Sequence, residues 1–441
     1  MHPLSLLVRQ FIHNTTQVKR VVIAYSGGVD STVLLHAAAD AQLDQPIVAI
    51  HVNHQLSAFA KQWQSHAEEA CQRLGVPFIS QTVEVDSQNG GLEQAARQAR
   101  YSVFNAFLQD GDLLLTAHHQ QDQAETFFLR LLRGAGVLGL AGMAPLRRHG
   151  QAWLGRPFLS LEKSELEAYA KAKKLTWVED ESNHSVQFDR NYLRLKVLPG
   201  LFKRWPSVFT QVRRSTELLA QAQGLLTLYA QEDLQLCDPQ AERLGHSLLI
   251  KPCLNWPDAR RNQVLRTWLS QLGYRPPPQN QWHELGLLLN AEQDRSPCLK
   301  WQDCEIRRFQ QRLYCLPIGW QPSATESFIG ELSSLGRVML AQKHQLSFES
   351  SAVGLSAQKT YQIKFRQHCP DIARAHPHSR IHSQSFKKLL QEYRVEPWLR
   401  PWLPLVFSNG QLVAVGDLWI EHGHLFTGRH AMALRWQIGA E

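Results

Sequence analysis

Paired cysteines are missing from this chain. Its seven cysteines, at 71, 237, 253, 298, 304, 315 and 369, are scattered over 441 residues, and no two form a C-x-x-C motif. An odd number at such spacing excludes a disulfide scaffold and a zinc ribbon, so reduced and mostly buried thiols are expected. No run of 18 apolar residues occurs. The opening Met1-His2-Pro3-Leu4-Ser5-Leu6-Leu7 also lacks a long apolar core with a small-residue cleavage site, so a cytoplasmic chain with no membrane partner is expected. The G-x-x-x-x-G-K-[ST] phosphate loop is absent as well. What is abundant excludes disorder: 44% of residues are hydrophobic and 13 are tryptophan. The length suggests two or three domains, and the net charge of +8 favours an anionic partner.

The first 215 residues alternate strand and helix patterns. Val21-Val22-Ile23-Ala24 is an apolar β-branched run that breaks at Ser26-Gly27-Gly28 and resumes with helical spacing at Val33, Leu34 and Ala37. Strand, tight turn and helix N-terminus make a phosphate-binding layout. Gly27, Gly28 and Val29 bring backbone N–H groups close to a ligand, while Ser26 and Ser31 add hydroxyls. Asp30 beside a phosphate requires an intervening cation, which assigns it to magnesium. Further strands at Ile47–Val52, Phe78–Val85 and Asp112–Ala117 predict a mostly parallel sheet with its ligand at the strands' carboxyl ends. Asn53 and His54 leave the second strand at that edge, which makes them candidates for the nucleotide pocket as well as for plain surface.

The S-G-G-V-D-S stretch from Ser26 to Ser31 resembles the signature of the PP-loop ATP pyrophosphatases, which cleave ATP between the α- and β-phosphates. Three further stretches resemble the tRNA(Ile)-lysidine synthetase family within that group. In the first, Leu92–Tyr101 carries Arg97 and Arg100 three apart on one helix face, a spacing suited to clamping phosphate or carboxylate. In the second, His119, Gln121, Asp122, Gln123, Glu125 and Thr126 fit H-x-D-D-Q-x-E-T, except that Gln121 stands where an aspartate is usual. An amide carries no charge, so any cation or amine role falls to Asp122 and Glu125. The third joins Gly155-Arg156-Pro157, the W-x-x-D-x-S-N of Trp177–Asn183, and Arg190-Asn191 with Arg194. Between 187 and 214 stand seven Lys or Arg and one acid, interleaved with Tyr192, Phe202 and Trp205, which reads as an RNA-facing surface including Arg204.

Beyond residue 216 the pattern turns helical, with a stiff Arg275-Pro276-Pro277-Pro278 turn, and becomes strand-like from Cys298 to Leu316. Residues 359–400 hold nine Lys or Arg against three acids. Their K-K-x-x-Q-E-x-x-V-x-P-W-L-R run, with Lys387, Lys388 and Arg400, resembles the family's carboxy-terminal tRNA-gripping domain. The resemblance implies an α/β fold: a parallel-sheet PP-loop domain (1–215), a helical middle domain (216–317), a linker (318–358) and a small α+β carboxy-terminal domain (359–441).

The implied reaction uses ATP and Mg2+ to join L-lysine to C2 of the wobble cytidine of a CAU-anticodon tRNA(Ile), through an adenylated cytidine. The catalytic set would be Asp30, Arg97, Arg100, His119 and Asp122, with magnesium on Asp30 and Asp122. His119 would orient or deprotonate. Glu125, Arg190, Asn191, Arg194, Arg204, Lys387, Lys388 and Arg400 would contact substrates. Two alternatives stay open: another PP-loop tRNA-modifying enzyme such as a 2-thiolase, which the absent C-x-x-C disfavours, and a nucleotide-gated RNA-binding protein without catalysis. Monomer and homodimer also both remain open.

Overall fold

The computed structural model describes residues 1–439 except 86–90, 182–184, 279–280, 291–297, 302, 322–330, 333–335 and 342. Two compact units emerge, Met1–Leu225 and Leu226–Glu441. The first begins α1 (Pro3–His13), β1 (Arg20–Ala24), α2 (Val29–Ala39), β2 (Ile47–Asn53), α3 (Ala60–Arg73) and β3 (Phe78–Thr82). It continues with α4 (Leu92–Phe107), β4 (Asp112–Leu115), α5 (Gln120–Leu132), α6 (Val137–Leu140), β5 (Leu146–His149), β6 (Ala152–Gly155) and α7 (Lys163–Ala172). Then come α8 (Asp189–Tyr192), a π-helical turn at Leu193–Val197, α9 (Leu198–Arg204) and the long α10 (Val208–Leu236).

The six strands lie in the order β3-β2-β1-β4-β6-β5, and all are parallel except β5, which pairs antiparallel with β6. Because β1 is central and covered on both faces, its Val21, Val22 and Ile23 are fully buried. Val21 and Ile23 join Leu34, Leu113, Leu115, Leu166 and Tyr169 on one face, while Val22 joins Leu114, Leu154 and Phe104 of α4 on the other. Each such side chain contributes roughly 1.5–3 kcal/mol of transfer free energy. The register aligns Ile23 with Leu115 and Leu115 with Gly155, so the loops leaving β1, β4 and β6 emerge at one edge. The predicted α/β sheet is present, and the loops expected to hold the ligand leave it at one edge.

The middle of the chain, expected to be helical with a strand-like close from Cys298 to Leu316, has both, together with further strands at 240–241 and 246–249. Helices Asp258–Gln271 and Gln281–Asn290 pack against a five-stranded antiparallel sheet in the order 240–241, 246–249, 312–317, 304–309, 298–301. Trp268, Trp282, Leu285 and Trp301 fill the shared core. The boundary expected after residue 215 falls inside α10.

Residues 318–358, expected to link domains, include the strands Gly336–Ala341 and His344–Ser356. The second pairs with Phe426–Ile438 almost end to end, with register shifts beside Val353 and Gly354. Its partner lies about 80 residues further along the chain and Glu349-Ser350-Ser351 interrupt its apolar alternation, so the segment reads as a linker with β-character and not as a defined strand. A Cβ on Gly354 would stand 2.0 Å from the carbonyl oxygen of Met432. Gly354→Ala is therefore expected to lower unfolding stability by about 1–3 kcal/mol in chemical denaturation, the range for overpacking. A linker residue would show no such loss.

Candidate active site

Past Ala24 the chain turns through Tyr25, Ser26, Gly27 and Gly28 before α2 begins at Val29. Gly27 has φ of +86°, where a side chain is strained, and a Cβ there would lie 3.1 Å from Cγ2 of Val178. Three hydrogen bonds fix the turn: the Tyr25 N–H to the Ile50 carbonyl (2.9 Å), His51 Nδ1–H to the Tyr25 carbonyl (2.9 Å) and the Val178 N–H to the Gly27 carbonyl (3.0 Å). Ser31 Oγ donates to the Gly28 carbonyl at 3.0 Å and lies 3.0 Å from Ser26 Oγ. The opening N–H groups of α2 have no intrahelical partner and suit an anion. Asp30 stands in that first turn with Oδ1 buried and without a hydrogen-bond partner.

Asp30 Oδ2 faces His119 Nε2 at 3.6 Å, and His119 Nε2 is 3.5 Å from Asp122 Oδ2. His119 caps α5 by accepting the Gln121 N–H on Nδ1 at 3.2 Å, while Asp122 Oδ2 accepts the His119 N–H at 3.0 Å. With Nδ1 an acceptor, the proton of the neutral ring sits on Nε2, between the two carboxylates. Burial opposes the His119 imidazolium, yet Asp30, Asp122 and Glu125 outweigh it and raise the pKa above the ordinary histidine value. His118 behaves oppositely. Burial, outweighing Asp122 and aided by Arg156, Arg190 and Arg97, lowers it to about 3, so it is neutral, with Nδ1 2.8 Å from Thr116 Oγ1.

Beneath His119 lies a closed cluster of four charges. Glu125, with no exposed surface, accepts from Arg190 Nε at 2.7 Å and from Arg194 Nε at 2.6 Å. Asp122 Oδ1 accepts from Arg190 Nη2 at 2.8 Å. Burial alone would raise the Asp122 pKa, but His119 and Arg190 overcome it and hold the carboxyl well below the usual range. Arg190 and Arg194 were expected on an RNA-facing surface. They point inward instead, because Glu125 on α5 offers a buried carboxylate that only paired guanidinia can satisfy. By the same token Asp122 and Glu125 have their oxygens engaged, so neither presents the open cation face expected of them.

The other predicted residues scatter more widely. Asn53 serves the fold: its Nδ2 donates to Gln64 Oε1 at 2.9 Å and its Oδ1 accepts the Gln55 N–H at 3.0 Å. His54 Nδ1 is buried without a partner, and burial, then Arg100 and His51, push its pKa to about 4. Arg97 and Arg100 stand in different surroundings. Arg100 acts on His54 at the end of β2, whereas Arg97 stacks 5.0 Å above the Tyr101 ring and acts on His118 and Arg156.

Asn191 Nδ2 donates to the Ser185 carbonyl, and Arg204 lies 5.6 Å over the exposed Trp205. Lys387 and Lys388 are exposed, but Arg400 turns inward to donate to the Val395 carbonyl at 2.9 Å. Gly90, Ser182 and Asn183 lie outside the described residues. Arg156 was quoted from the sequence without a role. It is 3% exposed at the end of β6, and an arginine between Gly155 and Pro157 directly after an apolar run was the available signal.

Family models match the chain in three places: the PP-loop domain at residues 4–201, the TilS substrate binding domain at 248–314 and the TilS substrate C-terminal domain at 362–436. The chain is 38% identical over 451 residues to the tRNA(Ile)-lysidine synthase of Pectobacterium atrosepticum, covering 98% of each. It is 36% identical to that of Legionella pneumophila, covering 93% and 94%, and 37% identical to that of Coxiella burnetii, covering 92% and 90%. The chain belongs to the tRNA(Ile)-lysidine synthase family. The PP-loop match of this family member lies in the first unit, and both TilS matches lie in the second. No helix among the described residues is long and apolar enough to cross a membrane.

Glu125→Gln removes the fully buried charge from the cluster and leaves Asp122 alone to answer two guanidinium groups. We expect a loss of about 3–5 kcal/mol in urea denaturation. Lys387→Gln, on an exposed helix face, should stay within about 0.5 kcal/mol of wild type.

Proposed function

We propose that this chain ligates lysine to C2 of the wobble cytidine of a CAU-anticodon tRNA(Ile), converting ATP to AMP and diphosphate. The observation carrying this reading is the S-G-G-V-D-S turn at the carboxyl edge of the sheet, with its positive-φ Gly27 and the unpartnered Asp30 oxygen, in a chain whose relatives along almost its whole length are lysidine synthases.

Phosphates rest on the N–H groups of the loop and of the first turn of α2, with the Ser26 and Ser31 hydroxyls beside them. A magnesium ion fits at Asp30, whose Oδ1 is a buried hard oxygen lacking a donor, and there it would supply the positive charge between carboxylate and phosphates. Asp122, given to magnesium by the sequence reading, fits a positioning role better, since Arg190 and the His119 N–H take its oxygens. His119 then orients Asp30 through Nε2–H and does not act as a base. Arg100, beside His54, adds positive charge on the nucleotide side.

In the first step cytidine O2 attacks the α-phosphorus, and the bond to the diphosphate breaks. In the second the neutral ε-amine of lysine attacks C2, the C2–O2 bond breaks, AMP departs with that oxygen, and the new C–N nitrogen sheds a proton. The resulting lysidine pairs with A instead of G. Exposed Tyr192, Phe202 and Trp205 with Arg204, and separately Lys387 and Lys388, supply RNA contacts in this reading.

AMP formation should require lysine and CAU-anticodon tRNA together, and Asp30→Asn should lower it by about 100-fold or more, the scale of losing one preorganised electrostatic group. ATP binding with no diphosphate release in the presence of tRNA and lysine would identify a nucleotide-gated RNA-binding protein instead. The Gln121 backbone, not its side chain, contacts His119. Gln121→Asp should therefore leave the rate within about threefold, as for a substitution that breaks no contact.

A further inference from the structure

A peptide unit points its C=O and its N–H in opposite directions, so whatever holds a carbonyl also aims the amide that follows it. Three carbonyls of the phosphate loop are held from the protein side. The Tyr25 carbonyl takes His51 Nδ1–H at 2.9 Å, and the Gly27 carbonyl takes the Val178 N–H at 3.0 Å. The Gly28 carbonyl takes the Thr32 N–H at 2.9 Å and the Thr32 hydroxyl at 3.0 Å. The amides facing away from these carbonyls belong to Ser26, Gly28 and Val29. Ser26 N–H reaches Ser31 Oγ at 3.3 Å and Gly28 N–H reaches Ser26 Oγ at 3.4 Å, both long contacts, while Val29 N–H opens α2. These three are left to face an anion because their carbonyls are engaged behind them.

Two of the holding groups are side chains, and both are buried. His51 follows the point where Ala24 pairs with Ile50, and the Tyr25 N–H goes to the Ile50 carbonyl, so consecutive residues of β2 take both backbone groups of Tyr25. His51 is 6% exposed, with the Phe78 ring 6.0 Å away. Burial outweighs the bond to Tyr25 and lowers its pKa, so the ring is neutral; with its one proton on Nδ1 it has none left for a phosphate. Thr32 is equally buried, and the hydroxyl of the enclosed Tyr25 lies 3.4 Å from its Oγ1. Since the Thr32 proton goes to the Gly28 carbonyl, Tyr25 is the donor in that contact. The Val178 N–H would be supplied by almost any residue, whereas His51 and Thr32 supply donors that their residue types alone provide.

We propose that His51 and Thr32 are positioning residues for the adenylation step: without touching ATP, they fix the peptide planes that aim the Ser26 and Val29 amides at its phosphates. This rests on the ligation reading above, in which the loop holds the phosphates that leave as diphosphate. Negative charge grows on those oxygens as the bond to the α-phosphorus breaks, and amides already aimed at them need no reorganisation at that moment.

The test measures diphosphate release by the full chain with ATP, magnesium, lysine and CAU-anticodon tRNA. His51→Asn keeps an N–H near the place of Nδ1–H, whereas His51→Gln carries its amide out toward the place of Nε2. His51→Gln should lower kcat by about 10–100-fold, the scale of losing a group that orients a ligand-holding one, with the KM for ATP within about threefold because the amides act chiefly on developing charge. His51→Asn should stay within about threefold of wild type in both, as for a substitution that keeps the contact. Should His51→Gln melt at the assay temperature, Thr32→Val, which loses the hydroxyl at equal size, is compared with Thr32→Ser, which keeps it; the first should show the kcat loss and the second should not. Wild-type kcat in His51→Gln or Thr32→Val, an Asn variant as slow as the Gln variant, or a raised KM for ATP with kcat intact would overturn the positioning role and leave ligation standing. No diphosphate release by wild type would sink both.

Discussion

Glu125 has no exposed surface, and its two oxygens are answered by two guanidinium groups. That arrangement is the constraint on which the site depends. Arg190 and Arg194 come from the segment beginning at Asp189, and their bonds to Glu125 and Asp122 pin that segment to α5. Asp122, held from one side, caps α5 through the His119 N–H and keeps the His119 ring facing Asp30. A path of direct contacts therefore runs from a buried ion cluster to the carboxylate at the phosphate loop. Such a cluster does little for net stability, because desolvation offsets most of the attraction. Its value lies in admitting a single arrangement, since removing any member leaves a charge stranded.

Much of this was legible in the residues. The Val21–Ala24 run, the Gly27 turn and the helix after it appear where read, because each is specified locally, by β-branched side chains, by a positive φ and by helical apolar spacing. Asp122 and Glu125 were also recognisable as a group, since helical spacing puts them on one face, and His119 joined them through the family motif. What escaped was direction and pairing. Whether Arg190 and Arg194 face RNA or a buried glutamate turns on α5, some 65 residues away in the chain, and no local pattern carries that. The same holds for Asn53, drawn into a turn and to Gln64, and for Arg400, turned onto a carbonyl. The β-character of residues 318–358 was legible, but the strand at His344–Ser356 was read as part of a linker because its partner, Phe426–Ile438, is the final strand among the described residues.

Family membership and geometry bear on different levels of the account. Close relatives along almost the full length place the chain among the lysidine synthases, and the three domain matches follow in order. Geometry then sorts the charged residues of the first unit into three groups. One is a carboxylate with an open oxygen at the loop, one is a neutralised cluster beneath His119, and one is a set of arginines toward β6 that bond to carbonyls and have no carboxylate partner among the described residues. An enzyme that must hold a triphosphate, position an electrophilic base and admit a zwitterionic amine needs sites of opposite character along one sheet edge. Keeping the middle group neutral lets the other two act without cancelling each other.

The central claim is that the turn from Ser26 to Ser31 grasps a nucleotide triphosphate. It is tested most directly by a crystal structure of the chain with magnesium and an ATP analogue whose α–β bridge cannot be cleaved. Phosphate oxygens on the amides of Gly27, Gly28 and Val29, with the metal on Asp30 Oδ1, is the result the account predicts. Nucleotide bound elsewhere, with that turn free of phosphate, would contradict it.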